Sequence, residues 1–417
     1  MKLKALVLAS VVALLAAACG GPAAAPSQSA GSSAATSASP AAQPVELLVW
    51  THLTGPERDE IDKVAQTWAK STGNKVTVVL DSGDFSAAVT AIAGGKGPDV
   101  MYGLPHDNLG NFQKAGQLAA VPAGVIDASA YVSQAIAATS YDGKQYAVPV
   151  SMEAIGLFYR TDKVKGTAPA TFEDLRTQAK GGLGFKYDIK NFYFTYGFIG
   201  ANGGYVFKDK GNGALDATDV GLGNDGAKSA YQLLQDLVVN DKLMTKDESG
   251  DTAKAAFQSG KSAFYISGPW DVDGLKKANV PFAVAKIPTI GGKAFTPFIG
   301  VQAAFVNGKT TDAKQKASWD LVKKLQTDLP LTLFKVGNRI PAQKAMLSDS
   351  TVKADANVAA FAASAQDGVP MPNIAAMAAV WGPAGGVLDL LAQNKITPAA
   401  AGDKVVKDIK DGIAQQK

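Results

Sequence analysis

The chain has 417 residues, 47 % of them hydrophobic, and a formal net charge of +4. Its basic residues form no stripe or cluster, which argues against nucleic acid as a partner. The single cysteine, Cys19, leaves the rest of the chain without a disulfide, a thiolate metal site or a cysteine nucleophile. Because there are only two histidines and no H-E-x-x-H spacing, we expect no zinc site, and we predict no metal and no other cofactor.

The N-terminus has the anatomy of a lipoprotein signal peptide. Lys2 and Lys4 precede an uncharged, mostly apolar run over residues 5–18, which is too short for a permanent membrane span. Small residues then stand directly before Cys19, as a lipoprotein signal peptidase requires. We therefore predict a signal peptide over residues 1–18 and acylation of Cys19, which anchors the protein on the extracytoplasmic side of a membrane. The alternative is an ordinary secreted protein.

Residues 19–44 are predicted to be a disordered tether behind the lipid anchor. Residues 20–44 contain only Gly, Pro, Ala, Ser, Gln and Thr, so they cannot bury enough apolar surface to offset their ordering entropy. Folding is expected to begin at Val45. The remaining length exceeds what one hydrophobic core usually serves, and we expect two lobes.

Local patterns in the folded part predict an α/β architecture. Residues 45–50 form a short apolar run, residues 57–70 carry apolar side chains at helical spacing, and residues 75–80 are again typical of a strand. This β-α-β opening indicates a parallel sheet with helices on its faces. Further along, two strand-like runs, 146–150 and 155–159, are separated by a polar break.

No motif for covalent chemistry stands out. Residues 221–226 match G-x-G-x-x-G, but the segment before them is polar and turn-rich rather than a buried strand, so a helix cap at Asn224 or Asp225 is the better interpretation. No pair among the 37 acidic residues is singled out for glycoside hydrolysis. We therefore predict that the chain is not an enzyme, with a secreted glycoside-processing enzyme as the less favoured alternative.

Aromatic residues stand at glycine-marked breaks in the sequence. Trp270 follows Gly268-Pro269, Trp381 precedes Gly382-Pro383, and residues 191–196 contain four rings. A sugar offers an apolar C–H face and a belt of hydroxyls, so it requires flat aromatic side chains together with polar hydrogen-bonding groups. The alternative is that these rings belong to the core, and the pattern alone leaves both interpretations open.

Several strings nevertheless resemble the maltose/maltodextrin-binding proteins of ABC importers. The resemblance is collinear from about residue 45 to the C-terminus. The segments that carry it are GPDV at 97–100, AVPVSMEA at 147–154, GGYVF at 203–207, ISGPW at 266–270, PFIGV at 297–301 and MPNI at 371–374.

The resemblance implies a type II periplasmic-binding-protein-like fold, in which two lobes joined by three hinge crossings enclose a ligand cleft. The crossings would fall near 150–155, 298–301 and 349–357. The first lobe would comprise residues 45–150 and 302–348, and the second would comprise residues 154–297 and 358–417.

The same resemblance assigns ligand-binding roles residue by residue. Trp270 and Trp381 match the two stacking tryptophans of the family, and Tyr193 matches a stacking and hydrogen-bonding tyrosine. Asp107 matches a hydroxyl-binding aspartate, and Glu153 matches a glutamate that lines the cleft. Asp107 has an alternative, since it also stands where it could cap the following helix.

The sequence departs from the family pattern at other cleft positions. Asn108 replaces an arginine, Thr54 replaces a charged residue, and Asn191 stands where a glutamate is usual; these three positions are also predicted to contact ligand. Aromatic residues expected near 103–104 and 250 are missing as well, and Phe192 and Tyr196 are candidates to replace them. These departures leave ligands other than maltose open: a longer or cyclic maltodextrin (a cyclodextrin), trehalose or another oligosaccharide.

The resulting hypothesis is a monomeric, lipid-anchored transport receptor. It would capture a maltodextrin-like oligosaccharide by hinge closure and deliver it to the permease subunits of an ABC transporter. A receptor for a non-sugar ligand on the same scaffold is the remaining alternative. Asn108 and Gly385 stand where the resemblance predicts arginines, and the loss of these arginines argues against an anionic ligand, whereas the aromatic side chains favour a sugar.

Overall fold

The computed structural model describes residues 43–81, 83–141, 143–211 and 214–416. The predicted signal peptide, Cys19 and the tether up to residue 42 lie outside the described residues.

The described residues form fifteen strands. They are β1 Glu46–Thr51, β2 Lys75–Leu80, β3 Val100–Pro105, β4 Ser140–Tyr141, β5 Lys144–Gln145, β6 Val148–Glu153, β7 Gly156–Arg160, β8 Phe185–Lys186, β9 Lys208–Asp209, β10 Leu215–Asp216, β11 Phe264–Ser267, β12 Phe282–Ala285, β13 Phe298–Val306, β14 Ile340–Pro341 and β15 Val369–Pro370.

Sixteen α-helices accompany them in the same part of the chain. They are α1 Gly55–Thr72, α2 Phe85–Ala93, α3 Leu109–Lys114, α4 Ser133–Ala138, α5 Phe172–Gln178, α6 Phe192–Ala201, α7 Asp225–Val239, α8 Gly250–Gln258, α9 Val272–Lys277, α10 Asp312–Asp328, α11 Pro330–Gly337, α12 Lys344–Leu347, α13 Ser350–Ala354, α14 Ala356–Gln366, α15 Trp381–Ala392 and α16 Pro398–Gln415.

The larger sheet has seven strands. Six of them follow the order β14-β6-β13-β3-β1-β2, and the seventh, β15, pairs with the first residues of β13. The predicted β-α-β opening is confirmed, because β1 runs parallel to both β2 and β3. Helix α1 begins after Thr54, which forms a capping box with Glu57, and ends at Gly73 in the left-handed region that favours glycine. The sheet as a whole is mixed, since β13 runs antiparallel to β3 and β6.

A second sheet has four strands in the order β12-β7-β11-β8. β7 runs antiparallel to β11 and β12, whereas β8 and β11 are parallel. Helices α5, α6, α7, α15 and α16 contribute to the core on one side of this sheet, together with residues such as Phe185, Phe198 and Leu234. The described residues thus form two main sheets, besides the two-stranded pairs β4-β5 and β9-β10, and they combine sheets with helices as expected for an α/β protein.

The chain passes from the larger to the smaller sheet between β6 and β7. Sequence patterns predict a polar break over residues 151–154, but β6 continues through Glu153 and only Ala154 and Ile155 separate the strands. The strand extends because β13 pairs with one edge of it and β14 with the other. Local hydrophobicity does not reveal this tertiary pairing.

Strand β13 returns the chain to the larger sheet, and all nine of its residues are buried. Its first residues pair with β15, and the following residues pair with β6 and β3. The two crossing strands, β6 and β13, therefore lie side by side. The exact lobe limits and the third crossing near 349–357 stay predictions.

A close approach joins α3 to the segment just before α15. A Cβ atom added to Gly110 would lie 2.4 Å from the backbone nitrogen of Ala375. Asn373 donates from its side-chain nitrogen to the carbonyl oxygens of Ala138 and Ser140, at 3.1 and 3.2 Å. The segment 371–374, which carries part of the family resemblance, is thus attached directly to elements of the larger sheet.

Candidate functional site

The floor of the candidate site is formed by the adjacent ends of β6 and β13. Glu153 lies opposite Gly300, and Ser151 lies opposite Gln302. Residues opposite each other in an antiparallel pair share a face, so these four positions form one side of the sheet. Gly300 is required there, because an added Cβ would come within 2.8 Å of the Glu153 side chain.

A buried ion network occupies this face. The Arg339 guanidinium donates to both carboxylate oxygens of Glu57, at 2.8 and 3.1 Å, and also to the carboxylate of Glu153. All three residues are buried. Burial alone would raise the pKa of Glu57, but the charge and hydrogen bonds of Arg339 outweigh it and hold that pKa below its ordinary value. The two carboxylates also raise the pKa of Arg339, against the opposing effect of burial.

The backbone around Arg339 explains how this side chain reaches both carboxylates. Helix α11 ends at Asn338, which adopts the left-handed conformation with φ of 52° and turns the chain into β14. Gly337 leaves room for the partner, because an added Cβ would lie 2.1 Å from a carboxylate oxygen of Glu57. The turn therefore places Arg339 between α1 and the end of β6.

The carboxylate of Glu153 is already engaged by protein groups. One oxygen accepts from Arg339, and the other accepts from the Gln302 side-chain nitrogen at 3.0 Å. Thr54 is engaged in a similar way, since its backbone N–H and its hydroxyl each donate to Glu57 at 2.8 Å. The structure thus joins the predicted residues Thr54 and Glu153 through Glu57 and Arg339.

Asp107 follows directly after β3 in a short 3-10 helix, His106–Asn108. Burial raises the pKa of Asp107 to about 7, while hydrogen bonding with its own backbone and with the Trp381 side chain acts in the opposite direction. Helix α3 starts with Asn108 in the cap position, and among the described residues no side chain caps its first turn. The capping alternative for Asp107 is therefore not observed, and Asp107 lies beside a predicted stacking tryptophan.

His106 connects three segments of the chain. Its Nδ1 accepts from the backbone N–H of Val301 at 3.1 Å, and its Nε2 lies 3.0 Å from the carbonyl oxygen of Met371. These partners require a neutral ring with the proton on Nε2. Burial lowers the pKa of His106 to about 4, which is consistent with that form.

The aromatic residues divide into two groups. Phe192 and Tyr196 are buried and pack on Phe298, with the rings of Tyr196 and Phe298 stacked at 3.8 Å. These two therefore belong to the core and do not replace the missing cleft aromatics. Trp270 and Trp381 are only partly buried and pack against the same core.

Tyr193 links the aromatic group to the charged floor. Its ring lies 6.2 Å from that of Trp270 and 6.3 Å from that of Phe298. Burial raises its pKa well above the ordinary value, and the charges of Glu153 and Asp107 add to this effect. The hydroxyl is therefore protonated at neutral pH.

Asn108 and Trp381 line a common cavity of about 470 Å³. Its other lining residues are Gly83, Asp84, Phe85, Ser86, Asn111 and Ala378. Trp381 opens α15, whereas Asn108 precedes α3, so the cavity lies where these two parts of the fold meet. Asn191 is different: it is exposed, and its side chain accepts from the Tyr193 backbone N–H at 3.0 Å, capping α6.

Sequence reasoning missed four side chains that shape this region. Glu57 and Arg339 form the ion network, Gln302 holds Glu153, and His52 lies at the rim with its Nδ1 2.8 Å from an Asp81 carboxylate oxygen. The only sequence signal for Arg339 is its rarity, because the chain contains four arginines. The G-x-G-x-x-G interpretation is confirmed, since the Asn224 side chain caps α7 by accepting from the Ala227 N–H at 2.8 Å.

Comparison with known proteins places this geometry in a family. Residues 63–360 match the family model described as bacterial extracellular solute-binding protein. The chain is 33 % identical over 382 residues to the maltooligosaccharide ABC transporter solute-binding lipoprotein of Streptococcus pneumoniae, covering 85 % of this chain and 86 % of that protein.

Solved structures of sugar-binding proteins are also similar to this chain. The maltose-maltodextrin binding protein of Alicyclobacillus acidocaldarius is 39 % identical, with a TM-score of 0.83 over 88 % of this chain and all of that one. The maltotriose binding protein of Thermus thermophilus, bound with maltotriose, is 30 % identical, with a TM-score of 0.80 over the same shares of the two chains.

The chain therefore belongs to the bacterial extracellular solute-binding protein family, and its fold is the two-lobed fold of the maltodextrin-binding members. The resemblance drawn from sequence strings is confirmed. The roles of individual cleft residues stay predictions.

Replacing Arg339 with methionine is expected to destabilise the protein by about 3–5 kcal/mol, because it leaves Glu57 and Glu153 buried without their cation. Arg176→Met is the matched control, since the partner of Arg176, Asp241, keeps an ion pair with Lys180 at 3.1 Å. Urea unfolding at pH 7 measures both. If both variants lost the same free energy of unfolding, the buried network would contribute no more to stability than the ion pair of Arg176.

The pH dependence of stability tests the neutral state of His106. An unfolded histidine gains a proton below about pH 6.5, whereas the folded one does so only near pH 4. His106 therefore lowers the free energy of unfolding as the pH falls between these values, by up to about 1.4 kcal/mol per pH unit.

Urea unfolding of the wild type and His106→Gln between pH 7 and 4 isolates this effect, because Asp107, which acts in the opposite direction, is common to both proteins. The variant should show a weaker loss of stability on acidification. Parallel curves would show that His106 titrates normally in the folded state.

Proposed function

We propose that this protein is the receptor of an ABC importer for maltooligosaccharides, anchored on the outer side of a membrane by Cys19. The observation that carries the proposal is the combination of partly exposed Trp270, Trp381 and Tyr193 with Asp107 at the same site. The names of the relatives, a maltooligosaccharide lipoprotein and a maltotriose-binding protein, support the ligand class.

The physical basis of binding is complementarity to the two surfaces of a sugar. The rings of Trp270, Trp381 and Tyr193 provide flat apolar faces for the C–H side of pyranose rings. Asp107, together with the neighbouring Asn108, provides acceptors and donors for hydroxyls. Since Asp107 already interacts with Trp381, a sugar that stacks on the indole also comes within reach of the carboxylate.

Binding is coupled to closure in this proposal. Cleft residues come from both sides of the crossings, with Asp107 after β3 of the larger sheet and Trp270 after β11 of the smaller one. A ligand that contacts both sets favours the closed arrangement by its differential affinity for it. The permease would then recognise the closed, loaded receptor, and no covalent step is involved.

Trp270→Ala and Trp381→Ala are each expected to weaken maltotriose binding by about tenfold or more, because each removes one stacking face. Trp319→Phe is the control, since Trp319 is buried in the core beside α1 and β1. Calorimetric titration of the domain from residue 45 onward measures the affinities. Unchanged affinity in both alanine variants would refute the assigned cleft.

Tryptophan fluorescence of the wild type, titrated with maltose, maltotriose, a cyclodextrin and trehalose, tests the ligand class itself. A saturable change with a maltooligosaccharide supports the proposal. Saturation with trehalose alone would replace the maltooligosaccharide assignment by another sugar, and no response to any of the four would reject it.

The lipid anchor is tested separately with the full chain. Cys19→Ser removes the acylated thiol and also the cysteine before which the lipoprotein signal peptidase cleaves, so the variant is expected to carry no attached lipid and to keep residues 1–18. An alanine substitution at Ser27, within the predicted tether, is the control and should keep the lipid. Labelling with a radioactive fatty acid measures this, and a fatty acid attached to Cys19→Ser would exclude acylation at this residue.

A further inference from the structure

Only one of the two polar groups of the Gln302 side chain has a hydrogen-bond partner among the described residues. Its side-chain nitrogen donates to Glu153 at 3.0 Å, whereas its side-chain oxygen is fully buried and has no hydrogen-bond partner among the described residues. The residue as a whole is 3 % exposed. A flipped amide would place the oxygen against the Glu153 carboxylate, so the free group is the acceptor.

The hydroxyl of Tyr193 is a hydrogen-bond donor that also lacks a partner among the described residues. This hydroxyl is buried as well. The Tyr193 ring packs beside Phe298, which precedes Gln302 by four residues on the same face of β13. The charge of Glu153, the carboxylate to which Gln302 donates, also acts on Tyr193, so the two residues are linked through Phe298 and through this carboxylate.

Leaving such groups unpaired is costly. A buried polar atom without a partner costs about 1–3 kcal/mol, and native structures contain few of them. Burial keeps Tyr193 protonated, so it offers a donor, while Gln302 offers an acceptor. A hydroxyl group is the chemical group that satisfies both, because it accepts one hydrogen bond and donates another.

We propose that Gln302 is a ligand-binding residue, which accepts a hydrogen bond from a sugar hydroxyl that in turn accepts from Tyr193 at the inner end of the cleft. This rests on the proposed sugar-binding function. It makes Gln302 a specificity-determining residue, because the unpaired amide oxygen discriminates against a sugar that lacks this hydroxyl.

An equivalent polar atom away from the floor provides the control. The hydroxyl of Ser318, in α10, is likewise buried and unpartnered within the described residues. If the loss of an unpartnered polar atom affects sugar binding only through general destabilisation, Ser318→Ala and Gln302→Met should act alike. If Gln302 binds the sugar, only its own substitution should remove the selectivity for one hydroxyl.

The experiment is calorimetric titration of the wild type, Gln302→Met, Tyr193→Phe and Ser318→Ala with maltotriose and a series of its monodeoxy analogues. In the wild type, one deoxy position should lower affinity about tenfold. In Gln302→Met, maltotriose itself should bind about tenfold more weakly, and that same deoxy analogue should bind as well as maltotriose. Ser318→Ala should keep the wild-type pattern.

The outcomes separate direct contact from positioning. If Gln302 acted only by holding Glu153, or through water, every analogue would lose affinity in parallel and the deoxy penalties would persist, which would overturn the proposal. Gln302→Leu, a second apolar replacement, serves if the methionine variant fails to fold. Absence of any maltooligosaccharide binding by the wild type would overturn the proposed function, and this inference with it.

Discussion

The floor of the cleft depends on the ion pairs that the buried guanidinium of Arg339 forms with two carboxylates. The guanidinium joins α1, through Glu57, to the first crossing strand, through Glu153. Taking three charges out of water costs several kcal/mol per ion, so the network is tolerated only because other groups complete it. Thr54 and Gln302 supply those remaining hydrogen bonds. The end of β6 is therefore fixed at the point where the chain leaves the larger sheet.

Features governed by local chemistry could be predicted from the sequence. The β1-α1-β2 unit follows from short-range periodicity, and the structure adds the local groups that bound its helix, a capping box at Thr54 and a left-handed Gly73. The same holds for the Asn224 cap. The aromatic run of α6 is a mixed case. Phe192 and Tyr196 lie four residues apart in this helix and so share a side of it, but Tyr193 is only three residues from Tyr196. Helical spacing therefore does not separate the two core rings from the tyrosine beside the cleft; their full burial in the structure does.

The remaining site residues are brought together by tertiary structure alone. Arg339 is 282 residues from Glu57 and 186 from Glu153 in the sequence, and no local pattern marks any of these contacts. Gln302 is one polar residue inside an apolar strand, which is typical of an ordinary core position with a satisfied amide. The role proposed for Gln302 follows only from the pairing of β13 with β6, in which the amide nitrogen donates to Glu153 and the amide oxygen has no partner among the described residues.

The hydrogen bonds of Glu153 and Gln302 affect how the cleft selects its ligand. Glu153 is engaged by Arg339 and Gln302, so it has less capacity for sugar hydroxyls than its position suggests. The resemblance predicts an arginine at the position of Asn108, and its absence would weaken bidentate recognition near the cavity that Asn108 lines with Trp381. In the proposed binding mode, selectivity then falls to the acceptor of Gln302, which has no partner among the described residues. Such an acceptor would read the configuration of one sugar unit, whereas the aromatic faces would stack on any further units with little regard for their number.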